Sequence, residues 1–281
     1  MVSKTSDTVE YIEGSLVQHG PLNDRMYLMK LGDRDPEKVA ARLVEKAMEA
    51  GYSKIFAKVP NFAESVFLNQ GFQVEARVPG FYNGRTDAAF LGFYVDRQRA
   101  RDEHALDLDN ILDACWKHPQ PAKKELPAGF SLRRCTKGDV VQIADIYSAV
   151  FPTYPFPIDD PSYIDQTMKT HVDYFGIEVL GQLVALSSAE TDIEAENVEM
   201  TDFATLPSWR GYGLAIHLLL AMEDAMRVRK IKTAYTIARS ASAGINITFA
   251  KTGYRYAGRV TNNTNICGRI ESMNIWHKQL L

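Results

Sequence analysis

Asp202-Phe203-Ala204-Thr205-Leu206-Pro207-Ser208-Trp209-Arg210-Gly211-Tyr212-Gly213-Leu214-Ala215 begins as a β-type run, breaks at a proline and ends where a helical pattern opens. Small residues recur at Gly211, Gly213 and Ala215, just at the helix start. With no bulky side chain in the way, backbone N–H groups there approach an anion closely. The first amides of a helix have no intrahelical partner, and the helix dipole adds positive potential. Arg210 supplies a permanent cation at the mouth. The stretch reads as an anion-binding turn suited to a pyrophosphate. Two other phosphate loops do not fit. A Walker loop needs a Lys-Ser or Lys-Thr pair after the glycines, and none follows. A Rossmann turn needs a third glycine where Ile216 stands. A plain strand–helix turn would also tolerate these glycines.

Downstream, a helix runs from Gly213 to Val228, a strand covers Thr233–Ala238, and a helix through Ile245 and Phe249 stops at Gly253-Tyr254. Two strand candidates complete the chain. Upstream, Phe130–Cys135 reads as a strand, and Asp139 caps a helix through Ile143, Ile146 and Val150. Tyr174–Val179 and Leu183–Ala189 are β-rich runs divided by Gly181-Gln182. Glu199–Thr205 is a further strand.

The order recurs in the first half. Pro36 opens a helix through Val39, Leu43, Ala47 and Ala50, and Lys54–Val59 is a β-run. A helix through Phe62, Val66 and Phe67 stops at Gly71-Phe72, with strands near Gln73–Val78 and Ala88–Val95. The pattern predicts two copies of a related α/β unit, although an α/β chain can repeat such an order by chance. The first half lacks the length that precedes the helix in the second. Asp96 to Lys117 is helix-compatible and closes the first half. Pro119, Pro121 and Pro127 make His118–Gly129 a linker. The expected division is 1–118, linker 119–129 and 130–281.

With 281 residues, 46% hydrophobic and 24% charged, the chain can bury a real core. A net charge of −3 argues against a general nucleic-acid binder. Cys115, Cys135 and Cys267 are too far apart for a CxxC pair, which points to a reducing compartment and no disulfide framework. The six histidines are scattered, so no metal is expected. Met1 to Glu10 lacks the apolar core of a secretory signal, and no apolar run nears the roughly 20 residues of a membrane span. The expectation is a cytoplasmic protein that engages neither membrane nor nucleic acid; its oligomeric state stays open.

Arg210-Gly211-Tyr212-Gly213-Leu214-Ala215 resembles the [QR]-x-x-G-x-[GA] signature of the GNAT acetyltransferases, and Gly253-Tyr254 resembles the Gly-Phe that ends their next helix. The likeness runs from about Phe130 to the C-terminus. It implies an α/β (α+β) fold with a mixed, mostly antiparallel central sheet, behind a smaller, degenerate GNAT-like domain. It also implies acetyl-CoA as acetyl donor. Phe203, Ala204 and Thr205 would lie along the pantetheine arm, and Arg210, Gly211, Tyr212, Gly213, Leu214 and Ala215 would hold the pyrophosphate. Ser242 stands where the family carries an Asn, with Asn246 one turn later, and either would bond the cofactor arm. Phe249 replaces the frequent tyrosine acid, leaving Tyr254, Tyr256 or water to protonate the thiolate. In the first half, Gly32-Asp33-Arg34-Asp35-Pro36 occupies the place of the turn, and its two aspartates would repel a pyrophosphate. That copy would support or shape the site without binding cofactor.

Attack of an amine on a thioester needs a free lone pair. For an alkylammonium of pKa about 10.4, exposing it at neutral pH costs about 4–5 kcal/mol, so a general base is expected. Several family members carry a Glu where Glu199 stands relative to the turn, which makes Glu199 the first candidate and Asp202 the second. Strand alternation puts Glu199, Thr201 and Phe203 on one face and Met200, Asp202 and Ala204 on the other. Asp192, Glu194, Glu196, Glu199 and Asp202 crowd one stretch, however, and a run of charge is also what a solvated edge looks like.

Tyr11-Ile12-Glu13-Gly14-Ser15, Gln18-His19-Gly20, Asn23-Asp24-Arg25, the run from Thr201 to Thr205, Asn262-Asn263-Thr264-Asn265-Ile266 and Glu271-Ser272-Met273-Asn274-Ile275-Trp276 are similar to the β-lysine N-acetyltransferases. This likeness covers nearly the whole chain and implies the terminal amine of β-lysine as acceptor. Asn263, Asn265 and Glu271 would then border the acceptor cleft, where turn chemistry alone would also favour Asn. Another small amine, such as a polyamine or a lysine-like acid, or a non-catalytic acyl-CoA-binding module, are the competing readings.

Overall fold

A computed structural model describes residues 7–117 and 125–281. Residues 119–124 of the expected linker lie outside the described residues. The first half runs β1 (Thr8–Ile12), β2 (Ser15–Gly20), β3 (Arg25–Lys30), α1 (Pro36–Ala50), β4 (Lys54–Pro60), α2 (Asn61–Asn69), β5 (Gln73–Tyr82), β6 (Thr86–Tyr94) and α3 (Ala105–Trp116). The second runs β7 (Phe130–Arg134), α4 (Val140–Val150), α5 (Pro161–Thr170), β8 (Val172–Val179), β9 (Gln182–Asp192) and β10 (Asn197–Thr205). It continues through α6 (Leu214–Val228), β11 (Thr233–Arg239), α7 (Ala243–Lys251), β12 (Arg255–Ile266) and β13 (Arg269–Gln279). Local chemistry accounts for the helices. Asp35 caps α1 by accepting from the Glu37 amide at 3.0 Å, and Pro36 sits in its first turn. Val39, Leu43 and Ala47 form its buried face.

All the strands join one sheet of thirteen in the order β1-β2-β3-β4-β6-β5-β12-β13-β11-β10-β9-β8-β7. From each outer side the order is similar: three antiparallel strands, a parallel neighbour, then a swapped pair, with β7 as an additional outermost strand in the second half. β3–β4 and β10–β11 are the parallel pairs, and the other pairings are antiparallel. The fold is α/β with a mixed, mostly antiparallel sheet. The first half does hold strands ahead of its helix. β1 to β3 correspond to β8 to β10 and are five or six residues long.

The halves meet edge to edge. β5 pairs with β12 at Ala76 and Gly258, where a Cβ on Gly258 would lie 2.1 Å from the Glu75 carbonyl oxygen. Side chains from both halves then share a core, with Phe56, Phe81 and Phe90 against Tyr235, Val260 and Ile275. Buried Lys54 and half-buried Arg99 stitch the seam: Lys54 Nζ reaches the Thr261 carbonyl at 2.6 Å, and Arg99 Nε reaches that of Asn262 at 2.6 Å. Helix α3 does not close the first half. Its Cys115 sits in the core of the second, and Trp116 packs on Trp276 with ring centroids 5.5 Å apart.

Candidate active site

β10 and β11 pair only from Asn197–Glu199 against Thr233–Tyr235. β11 then continues beside β13 as far as Arg239–Met273, while β10 bulges between Thr201 and Ala204. At the bulge Asp202 takes a left-handed φ of 55°. The strands splay, and the gap is a cleft of about 420 Å³. On the cleft side, Thr201 to Thr205 have no strand partner from β11, and the Thr205 carbonyl accepts from Arg210 Nε at 3.3 Å.

The cleft runs to the turn before α6, where Arg210 and Ala215 line its mouth. Gly211 and Gly213 have φ of 89° and 72°, and no side chain caps the helix. Leu214 is buried under the turn, and Tyr212 is exposed, leaning on Phe130 and Trp209. Phe203, Thr205 and Ser242 line the cleft walls. Ala204 turns its side chain into the core beneath α4. Asn246 does not reach the cleft. It is fully buried, its Nδ2 donates to the carbonyls of Arg239 and Ser242 at 2.8 Å each, and its Oδ1 accepts from Asn274 and Trp276 at 2.9 Å. It tethers α7 to β11 and β13, and its side chain is fully used in doing so.

Past Tyr154, Thr201 and Asp202 the cleft opens into a second cavity, walled by both halves. Tyr27, Phe56 and Lys58 come from the first half, and Glu190, Glu199 and Tyr235 from the second. Burial and the neighbouring Glu190 push the Glu199 carboxyl up to about 7, while Lys58 and the Tyr235 hydroxyl act against the shift. Burial raises Glu190 as well, opposed chiefly by His171, whose Nε2 lies 3.8 Å away. Lys58 Nζ donates to the Tyr235 hydroxyl at 3.1 Å. Asp202 is also raised by burial, but its carboxylate already accepts from Tyr154, Ser188 and, at 3.3 Å, Thr201.

The expected strand alternation fails at the bulge. Val198 and Met200 face the α6 core, yet so does Phe203, while Ala204 faces α4. The extra residue reverses the parity and brings Asp202 to the side of Glu199. The charge run divides too: Asp192 and Glu194 pair with Lys30 at 3.2 and 2.9 Å, and Glu196 pairs with Lys232 at 2.5 Å. These three form a surface turn.

Of the three residues expected at the acceptor, Asn263 lines the cavity. Asn265 instead accepts from Thr153 Oγ1 at 3.0 Å and holds the loop after α4. Glu271 is spent on Arg239 and Arg269, at 2.8 and 2.9 Å, and borders a different pocket. Phe249 packs edge-on against Phe203 with centroids 5.6 Å apart. Tyr254 lies behind it in the core, and Tyr256 packs edge-on against Trp276, so neither borders the cleft. The cleft's tyrosine is Tyr154, in an irregular loop that carries no motif.

The sequence pattern described as the Acetyltransferase (GNAT) family matches residues 141–254, from α4 to the end of α7. Over 95% of its length the chain is also 40% identical to a known acetyltransferase, covering 97% of that protein. The chain belongs to the GNAT acetyltransferase family and is an N-acetyltransferase that draws its acetyl group from acetyl-CoA. The relative at 40% is the β-lysine N(6)-acetyltransferase of Methanococcus maripaludis. A second β-lysine N(6)-acetyltransferase, from Methanosarcina mazei, is 31% identical over 87% of this chain and 97% of its own. The N-acetyltransferase YodP of Bacillus subtilis is 30% identical over 95% of this chain and 96% of its own.

Proposed function

We propose that the chain moves the acetyl group of acetyl-CoA to the terminal amine of β-lysine, giving Nε-acetyl-β-lysine. The observation that carries this reading is Glu199, a carboxyl poised near neutrality in the cavity that continues the cofactor cleft. Full-length likeness to two β-lysine acetyltransferases supports the acceptor. The cleft fits the donor: an uncapped helix start and Arg210 for a pyrophosphate, and the unpaired edge of β10 for an amide-bearing arm. Acetyl-CoA supplies a thioester carbonyl open to attack.

Glu199 takes the proton from the terminal ammonium, directly or through water, and so frees the lone pair. A carboxyl near 7 suits that task, because about half of it is ionised at neutral pH while it remains a stronger base than an ordinary Glu. Asp202, saturated by three hydroxyls, orients Tyr154, which lines both the cleft and the second cavity. The departing thiolate, with a pKa about 8.5 like a free thiol, needs no strong acid. Acetylation removes one positive charge and leaves a net-neutral zwitterion, a form suited to a compatible solute held in the cytoplasm.

Coenzyme A release measured across β-lysine, lysine, spermidine and putrescine tests the reading. β-Lysine is expected to give the highest kcat/KM. A strong preference for spermidine would remove it, and tight acetyl-CoA binding with no turnover of any amine would remove the enzymatic step.

A further inference from the structure

Lys54, Arg99 and Arg25 of the first half reach the seam, and Arg25 lacks an anion. Lys54 has Glu75 at 3.0 Å, and Arg99 has Asp24 at 3.2 Å. Arg25, only 3% exposed, has no carboxylate within ion-pair distance among the described residues. Its acceptors are neutral: the Asn263 carbonyl, Thr264 Oγ1 at 3.0 Å and Gln18 Oε1 at 3.5 Å. The rings of Tyr27 and Phe56 flank the guanidinium, with centroids 5.2 and 5.8 Å away. Arg25 Nε and Asn263 Oδ1 are both buried without a hydrogen-bond partner. Both residues line the cavity that also holds Glu199.

An uncompensated buried guanidinium is costly, and so is each orphaned polar atom. A donor fork beside a lone carbonyl-type acceptor matches one chemical group, a carboxylate with an ammonium close by on the same molecule. Resting on the function proposed above, we infer that Arg25 and Asn263 form the receptor for the zwitterionic end of the acceptor. Arg25 takes the carboxylate, Asn263 Oδ1 takes the neighbouring ammonium, and the far amine is left at Glu199. The first half of the chain then sets specificity for an amino acid over a plain diamine.

The test compares β-lysine with 1,4-diaminopentane, the same skeleton without its carboxylate. Wild type is expected to favour β-lysine by about 100-fold in kcat/KM, the scale of a charge-assisted pair of hydrogen bonds. Arg25→Gln is expected to raise KM for β-lysine by about that factor with little change in kcat. The loss with the diamine is expected to be at least ten-fold smaller, and the acetyl-CoA Kd should stay near that of wild type. Arg25→Lys, which keeps the charge but loses the fork, is expected to retain an intermediate preference and decides the matter if the glutamine variant does not fold. Equal losses with both amines in Arg25→Gln, or an undiminished preference in Arg25→Lys, would overturn the receptor and leave the β-lysine reading standing. A wild-type enzyme that acetylates the diamine as well as the acid, or that uses neither, would overturn the receptor together with that reading.

Discussion

Burial sets the Glu199 carboxyl high, Glu190 pushes it higher, and Lys58 and Tyr235 hold it back to about 7. As the proposed base, it is expected to make kcat/KM rise with pH through about 7, and Glu199→Gln is expected to cut kcat by about 100-fold or more, partly rescued at high pH. A wild-type profile flat between pH 5 and 8 would remove Glu199 from the role. The same shift has a stability consequence. The folded pKa lies above the unfolded value, so the native state holds this proton more tightly, and stability falls as pH rises toward and through 7. Glu199→Gln carries no such penalty. Thermal unfolding is expected to show the variant ahead of wild type by a few degrees at pH 8 and level with it at pH 4; an equal difference at both would contradict the shift. The place of Glu199 in the cavity was legible because its distance from the turn is fixed along one strand. Its regulators were not, since Lys58 and Tyr235 come from strands far apart in the chain and carry no motif. Asp202 was placed on the wrong face because no residue type announces a bulge.

The element most readable from the chain is the opening of α6, where residue types, backbone angles and missing cap agree. The corresponding start of α1 shows the contrast. There Asp35 already occupies the first amides through the Glu37 N–H, so the first half presents a closed helix end. Gly213→Asp should turn the open end into the closed kind. Asp tolerates a φ near 72°, and its carboxylate favours a helix start, so the fold is expected to survive. A negative charge beside the pyrophosphate is expected to weaken acetyl-CoA by about 100-fold or more in calorimetry, with an unchanged circular dichroism spectrum. Unaltered affinity would mean that the cofactor does not use this helix end. The neighbouring helix was harder to read. Asn246 has the right chemistry for a cofactor contact, and only the packing of α7 against β13 shows that its amide is consumed inside the protein.

At the scale of the molecule, the repeated order of elements was visible in the chain, but the joining of the two units into one sheet was not. Edge-to-edge pairing leaves no periodicity, and its marker is a single glycine. Gly258 lets β12 approach β5 so closely that any side chain would collide with the Glu75 carbonyl, and its φ of 149° is itself unfavourable for other residues. The proposed acceptor cavity depends on this contact, because Tyr27, Phe56 and Lys58 reach Glu199 only when the halves are docked. The cofactor cleft, built from β10, β11, α6 and α7, lies wholly in the second half. Gly258→Val is therefore expected to divide the two functions. Overpacking at the seam should lower stability by about 3 kcal/mol. The KM for the amine should rise several-fold, while acetyl-CoA affinity below the unfolding temperature stays near that of wild type. Thermal unfolding and two-substrate kinetics on the same preparation measure all three quantities. Equal weakening of both substrates would indicate that the seam governs the whole site, and an unchanged melting temperature would show that β5 and β12 do not pair in solution.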